Sequence, residues 1–384
     1  MIKRIAALLL CVFMSLSVCA CTQRVVTTTS ESFTTTDGEE SSNMHQTTTS
    51  LTVNSSDTTS EEVINTSTSK ISSTPSKESV SSEKTPDFPE QIKADVPKTF
   101  NGFYGDTGII VSSVANLWSS DYVNCTILSA TDLDMKIKMC ANKGIFFWIN
   151  MAYICEAGID PTTKQMKIQP NWRENMQKVA ETVKQHGAWN YFLGWYMDEP
   201  LLNKFTPENV YMFTEYNHFT FGKRYFICFA VEGIAPECYS EGIIPKSMSK
   251  ETTKYLTDCA YDMYWDFDKW EDKYKKINSL MKSRVPDNCK IWYIPWAYGD
   301  MDSATSAEKP NMKKMAENEE RYIKHLNGMY NFLKQEQNPG GMFTFIFRGK
   351  DLNFYGIEEM VQQGYWTNYF DLVKKYGKEL VENK

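Results

Sequence analysis

The sequence predicts an α/β fold: a single (β/α)8 barrel preceded by a signal peptide and a disordered Ser/Thr-rich linker. Three observations predict it. Apolar runs of strand length alternate with amphipathic helical stretches, and the alternation repeats eight times between residues 99 and 384. The strand runs carry almost no charge, as expected of parallel strands covered on both faces. A region of that length suits eight βα units in one domain. An open doubly wound sheet is the other arrangement of such units, but no glycine-rich phosphate loop follows the first strand.

The strand runs are residues 100–104, 125–129, 145–153, 191–197, 225–231, 259–265, 291–296 and 342–347. Helical signals fall between them. Trp172, Met176, Val179 and Val183 make one apolar face that stops near Gly187. Thr206 caps a helix with Pro207 at its first position, and that helix runs to Gly222. Asp266 or Asp268 can cap residues 269–281. Met315, Tyr322, Leu326 and Met329 share one face of another long helix. Trp172, Trp270 and Trp366 sit on helical stretches and are expected in packing. Asp258 and Asp266 read as helix caps or loop acids.

The N-terminal part is of another kind. Lys3 and Arg4 precede an apolar run over 5–18, the pattern of a secretory signal and short for a membrane span. From residue 22 to about 98, about half of the residues are Ser or Thr and aromatics are scarce. Such a segment cannot bury enough apolar surface to offset its ordering entropy, so it is expected to act as a disordered tether that packs on nothing. The expected layout is therefore 1–21 signal, 22–98 linker and 99–384 barrel. Val18-Cys-Ala-Cys21 is similar to the lipobox of bacterial lipoproteins. That resemblance implies that Cys21 is lipidated and that the barrel faces outwards from the cell membrane, held by the lipid anchor alone.

Charge and composition exclude other classes. The net charge is −7 with no basic stripe, so nucleic acid is not an expected partner. Cys125, Cys140, Cys155, Cys228, Cys238, Cys259 and Cys289 are an odd set, several within apolar strands. They read as small hydrophobes in a reducing habitat rather than a disulfide framework. His45, His186, His218 and His325 lie in the tether or on helical stretches, which disfavours a zinc site or a Ser-His-Asp triad. No metal or cofactor is expected, and a monomer is.

In a parallel barrel the residues after each strand share one mouth, where ligands bind. The run ending Gly194-Trp-Tyr-Met-Asp-Glu-Pro200 puts Asp198 and Glu199 there. Tyr104 and Asp106, Asn150 and Tyr153, Glu232, Asp262 with Tyr264 and Trp265, Trp296 with Tyr298 and Asp300, and Arg348 with Lys350 and Asp351 follow the other strands. Asp262 lies among Tyr261, Met263 and Tyr264, where a carboxylate needs a partner. Arg348 either neutralises a barrel acid or touches substrate. Carboxylate pairs break glycosidic bonds, and aromatic faces stack on sugar rings.

The ending Trp-Tyr-Met-Asp-Glu-Pro resembles the fourth-strand motif of retaining (β/α)8 glycoside hydrolases, where Asn-Glu-Pro commonly supplies the acid/base. The resemblance implies Glu199 as general acid/base, with Asp198 in the place of the Asn and a carbohydrate as substrate. It departs at strand seven, where that clan ends in a nucleophilic Glu and this chain offers Asp300. An Asp-Glu pair at strand four is also similar to the hexosaminidases, in which the Asp orients a 2-acetamido group. The sixth strand, Asp258 to Asp266, resembles hydrolase-like barrels with an Asp-x-Tyr pair and the Met-x-Tyr-Asp of chitinases. The expected catalytic set is thus Glu199, Asp198, Asp262 and Asp300. Tyr104, Asn150, Tyr153, Glu232, Tyr264, Trp265, Trp296, Tyr298 and Arg348 are the expected substrate contacts. A barrel of the same kind that binds glycan without cleaving it is the alternative.

Overall fold

The computed structural model describes residues 88–104, 116–117, 120–230, 248–263, 270–298, 312–349 and 355–382. All of them lie in the compact unit Pro86–Lys384. Eight parallel strands close a barrel: β1 (Phe100–Phe103), β2 (Cys125–Leu128), β3 (Phe146–Asn150), β6 (Phe192–Asp198), β7 (Arg224–Ala230), β8 (Asp258–Asp262), β9 (Lys290–Tyr293) and β10 (Pro339–Thr344). Around the ring they follow one another in chain order, with β10 closing onto β1. Each of the eight predicted runs overlaps one of these strands.

Alternate strand residues divide the barrel into two cores. Phe100, Trp148, Phe226, Trp292 and Phe343 point inwards and fill the lumen. Trp292 is the centre of that stack, 4.8 Å from Phe343 and 5.0 Å from Phe226, nearly parallel to both. Gly340 is what admits it: a Cβ there would lie 2.2 Å from the indole nitrogen. Phe147, Trp195, Ile227, Tyr261 and Tyr293 point outwards against the helices. Gly194, with φ +152°, has no room for a side chain, because a Cβ would meet the Arg224 carbonyl at 1.9 Å.

The helical layer follows the predicted faces. Helix α3 (Trp172–Gln185) buries Trp172, Met176, Ala180 and Val183. Helix α4 (Pro207–Thr220) starts in a capping box, the Thr206 hydroxyl accepting from the Asn209 N–H at 3.2 Å and Asn209 Oδ1 accepting from the Thr206 N–H at 3.0 Å. Helix α5 (Trp270–Arg284) lies where residues 269–281 were expected, and its candidate caps Asp266 and Asp268 lie outside the described residues. Further helices are α1 (Leu133–Lys143) and the C-terminal α8 (Ile357–Gln362) and α9 (Thr367–Glu382). Trp172, Trp270 and Trp366 are all buried, as packing residues should be.

Three expectations need correction. The single long helix through Met315 is two, α6 (Met312–Glu317) and α7 (Glu319–Gln335), divided at Asn318, a residue type that favours caps over helix interiors. Strand β3 stops at Asn150 rather than at Tyr153, because Asn150 Oδ1 accepts from the Ala152 N–H at 2.9 Å and turns the chain into the short helix α2 (Ala152–Cys155). An antiparallel hairpin then leaves the barrel, β4 (Glu156–Ile159) and β5 (Met166–Ile168), its turn held by Asp160 accepting from the N–H groups of Thr162 and Thr163. Asp258, read as a cap or loop acid, is wholly buried at the start of β8. There it takes a two-point ion pair from Arg224, an indole N–H from Trp292 at 2.7 Å and the Thr257 hydroxyl at 2.7 Å.

The linker boundary also moves. Residues 88–98, assigned by composition to the tether, run along the loop between α3 and β6. The Ile92 N–H donates to the Gly187 carbonyl at 2.8 Å, Asn190 Nδ2 to the Ile92 carbonyl at 2.9 Å, and the Trp189 N–H to Gln91 Oε1 at 3.1 Å.

Candidate active site

Strand phase carries the inner face up to the C-terminal rim. Tyr196, Cys228 and Ala260 line the lumen, so Asp198 and Asp262, two residues further along their strands, point the same way. The register sets Asp198 opposite Cys228, Cys228 opposite Ala260, and Ala230 opposite Asp262. Strands β6 and β8 flank β7, and Asp262 lies two residues beyond the position level with Asp198, so the two aspartate backbones stand two strand spacings across and two residues along, roughly 11–12 Å apart. The Cys228 thiol lies between them. Burial pushes it well above the ordinary thiol range, and the negative charges of Asp262, Asp198 and Glu199 push it further. All three carboxyls therefore lie within electrostatic reach of the Cys228 thiol.

Asp198 is the best-defined of them. Tyr196 donates to its Oδ1 at 2.8 Å, and the Tyr196 and Tyr104 phenols bond each other. Burial raises the Asp198 carboxyl above the usual carboxylate range, while the tyrosine hydroxyls beside it oppose the rise. Burial and the Asp198 charge together put both tyrosine hydroxyls well above the ordinary phenol range.

Glu199 sits where the strand breaks. Its φ is +37°, a left-handed value that costs a non-glycine residue about 1–3 kcal/mol and persists where the surroundings enforce it. They do so here through backbone bonds. The Glu199 N–H donates to the Cys228 carbonyl at 2.8 Å, its carbonyl accepts from the Asn203 N–H at 2.9 Å, and Asn203 Nδ2 holds the Asp198 carbonyl at 2.9 Å. The Asp-Glu-Pro corner is thus a fixed turn.

Aromatic rings continue around the rim. Tyr104 packs edge-on against Tyr196 at 5.7 Å and Phe345 at 5.1 Å, and Phe345 meets Tyr298 at 5.2 Å. Tyr104 and Phe345 keep part of their surface open. The structure thus brings together Asp198, Glu199, Asp262, Tyr104 and Tyr298 of the predicted set. Cys228 and Phe345 were missed, although both fall in predicted strands, and Cys228 shares the inward phase of Phe226.

Other candidates take different places. Trp296 is 6% exposed and belongs to the outer core, against Tyr322 of α7 at 5.7 Å, with its carbonyl accepting from the Tyr369 hydroxyl at 3.0 Å. It braces the wall and offers no open stacking face, which corrects its assignment as a substrate contact. Tyr153 lies on α2 rather than in β3 and is 56% exposed. The Asn150 amide oxygen is engaged in its own turn. Arg348 faces the buried Glu358 of α8 at 3.9 Å. Glu232, Tyr264, Trp265 and Asp300 lie outside the described residues, as do Asp106, Lys350, Asp351 and Cys21.

Among the described residues no group of three or more His, Cys, Asp or Glu side chains could hold a metal ion. Cys125, Cys140, Cys155, Cys228, Cys259 and Cys289 are buried and form no disulfide among the described residues.

No protein-family model matches the chain, and no curated protein matches it. Solved structures do. A chitinase from Bacteroides thetaiotaomicron is 10% identical over 75% of this chain and 98% of its own, with a TM-score of 0.45. A GH113 β-1,4-mannanase is 10% identical over 75% and 99%, at 0.40. The β-glucuronidase 2 of Bacteroides uniformis is 12% identical over 65% of this chain, at 0.39, and this chain spans 31% of its length. These are similarities of a barrel whose existence here rests on its own strand pairing.

Proposed function

We propose that the protein is a glycoside hydrolase that cleaves a poly- or oligosaccharide with Glu199 as general acid/base. One observation carries the reading: three carboxyls, Asp198, Glu199 and Asp262, stand at the C-terminal end of neighbouring barrel strands, within electrostatic reach of Cys228. Glycoside cleavage needs two carboxyls, one to protonate the departing oxygen and one to meet the cationic sugar carbon or activate water. Glu199, on the fixed corner, is the proton donor. Asp262, across β7, is the described partner for it, in place of the strand-seven acid. The half-open rings of Tyr104 and Phe345 offer apolar edges to a sugar. We also propose export and lipidation at Cys21, so that the enzyme works outside the cell. That reading rests on the basic and apolar start and the Val-Cys-Ala-Cys run. Membrane fractionation of Cys21→Ala should find the protein released, and retention of the variant would overturn the anchor.

The test of the acid is Glu199→Gln on two substrates of the same sugar. A substrate with a poor leaving group should lose roughly 10²-fold or more in turnover, the usual worth of a general acid. One with an activated leaving group needs little protonation and should lose much less. Equal losses would reject Glu199 as the acid, and unchanged turnover on both would leave a glycan-binding barrel as the better reading.

A further inference from the structure

We infer that Asn203 is a positioning residue for Glu199: it grips both peptide planes that meet at the Glu199 Cα and so fixes the direction of the Glu199 carboxyl. The backbone of Glu199 is unfavourable on two counts. Its φ of +37° is left-handed, and it precedes Pro200, whose ring drives the residue before it towards extended backbone. A conformation disfavoured twice persists only where its neighbours over-determine it.

The first plane, between Asp198 and Glu199, is pinned at both ends. The Glu199 N–H donates to the Cys228 carbonyl of β7 at 2.8 Å, and the Asp198 carbonyl accepts from Asn203 Nδ2 at 2.9 Å. The second plane, between Glu199 and Pro200, has no N–H, so its carbonyl is the one hydrogen-bonding handle it offers. That carbonyl accepts from the Asn203 N–H at 2.9 Å. Asn203 therefore holds one plane with its side chain and the other with its backbone. Lys204 follows, also left-handed at φ +70°, and its carbonyl accepts from the Met166 N–H of β5 at 2.8 Å. The corner is closed on itself by Asn203 and buttressed from outside by the hairpin. Of these four bonds only the one from Asn203 Nδ2 is made by a side chain, so a substitution can remove it and leave the other three in place. An amide suits the position because it donates where a carboxylate would set a second acceptor against the Asp198 carbonyl. That Glu199 is an acid/base rests on the glycosidase reading; that Asn203 holds its backbone does not.

Hydrogen exchange and turnover of the full-length protein test the two parts separately. In Asn203→Ala the first plane loses one of its two holds, so the Glu199 amide should exchange roughly 3- to 10-fold faster, the worth of one hydrogen bond, while the amides within β7 keep their rates. Asn203→Leu restores the volume without the donor and should behave as Asn203→Ala does. An unchanged Glu199 amide in both variants, or wild-type exchange in Asn203→Leu, would overturn the proposal. In turnover, a displaced acid should cost about 10- to 10²-fold on a substrate with a poor leaving group and much less on an activated one. In the Glu199→Gln background the same substitution should cost under about threefold, because no acid is left to aim. Equal losses on both substrates, or a loss as large in Glu199→Gln as in the wild type, would reject the positioning role. If Glu199→Gln itself costs nothing, the glycosidase reading fails, and hydrogen exchange still decides whether Asn203 holds the corner.

Discussion

Asp258 and Asp198 are two aspartates of the same barrel with opposite solutions to burial. At the closed end, Asp258 meets a cation: the Arg224 guanidinium forks onto it while lying over the faces of Trp148 and Phe100 at 5.1 and 5.4 Å. At the open end, Asp198 meets the Tyr196 phenol, itself bonded to Tyr104. The first arrangement serves the fold and the second leaves a group able to exchange protons. Asp258→Asn keeps the shape but strands the Arg224 charge, so it should cost about 3–5 kcal/mol of stability, read from urea unfolding. Turnover by the folded fraction should not change, because the substitution lies at the far end of β8 from Asp262. A loss under 1 kcal/mol would mean that solvent screens Arg224. Nothing local in Thr257-Asp258-Cys259 distinguishes this residue from a cap. Its meaning depends on Arg224 and Trp292, 34 residues away on either side, which a linear reading does not bring together.

Elements were easier to read than contacts. Buried parallel strands announce themselves because both faces are covered and charge disappears, so all eight barrel strands were legible. Their excursions were not. The hairpin β4–β5 is short and partly exposed, and its Met166 N–H bonds the Lys204 carbonyl on the loop after β6, a contact with no trace in hydrophobic period. Segment 88–98 fails for the same reason: its hold is on backbone groups, and composition is blind to those. The consequence is testable. Deleting residues 22–85 should leave the thermal midpoint nearly unchanged, since the tether's composition gives it little to pack. Extending the deletion to 95 removes several hydrogen bonds, worth about 1 kcal/mol each, and should lower the midpoint by roughly 5–10 °C. Equal midpoints for the two deletions would show that the segment contributes nothing to stability.

Across the whole molecule, the barrel and its helical coat are joined at a few polar points, and His325 is one that titrates. It lies on α7, fully buried, with its ring 4.5 Å from Trp270 of α5. Its Nδ1 accepts from the Trp296 N–H at 3.4 Å, just past the end of β9. That acceptor role requires the neutral ring with its proton on Nε2, and burial lowers the imidazole from 6.5 to about 3. The unfolded chain therefore binds a proton that the folded one refuses throughout that window. Stability must rise with pH there, so it is fully present above about 6.5 and is lost as the pH falls towards 3. Between pH 7 and pH 5 this one residue should cost about 2 kcal/mol. His325→Asn keeps an acceptor for the Trp296 N–H but cannot titrate. The variant should start less stable at pH 7 because it fills the site poorly, yet its unfolding free energy should fall less on going to pH 5, the difference in slopes isolating His325 from the carboxylates. Parallel pH profiles for the two proteins would show that the imidazole takes up its proton without opening the joint between α7 and the barrel.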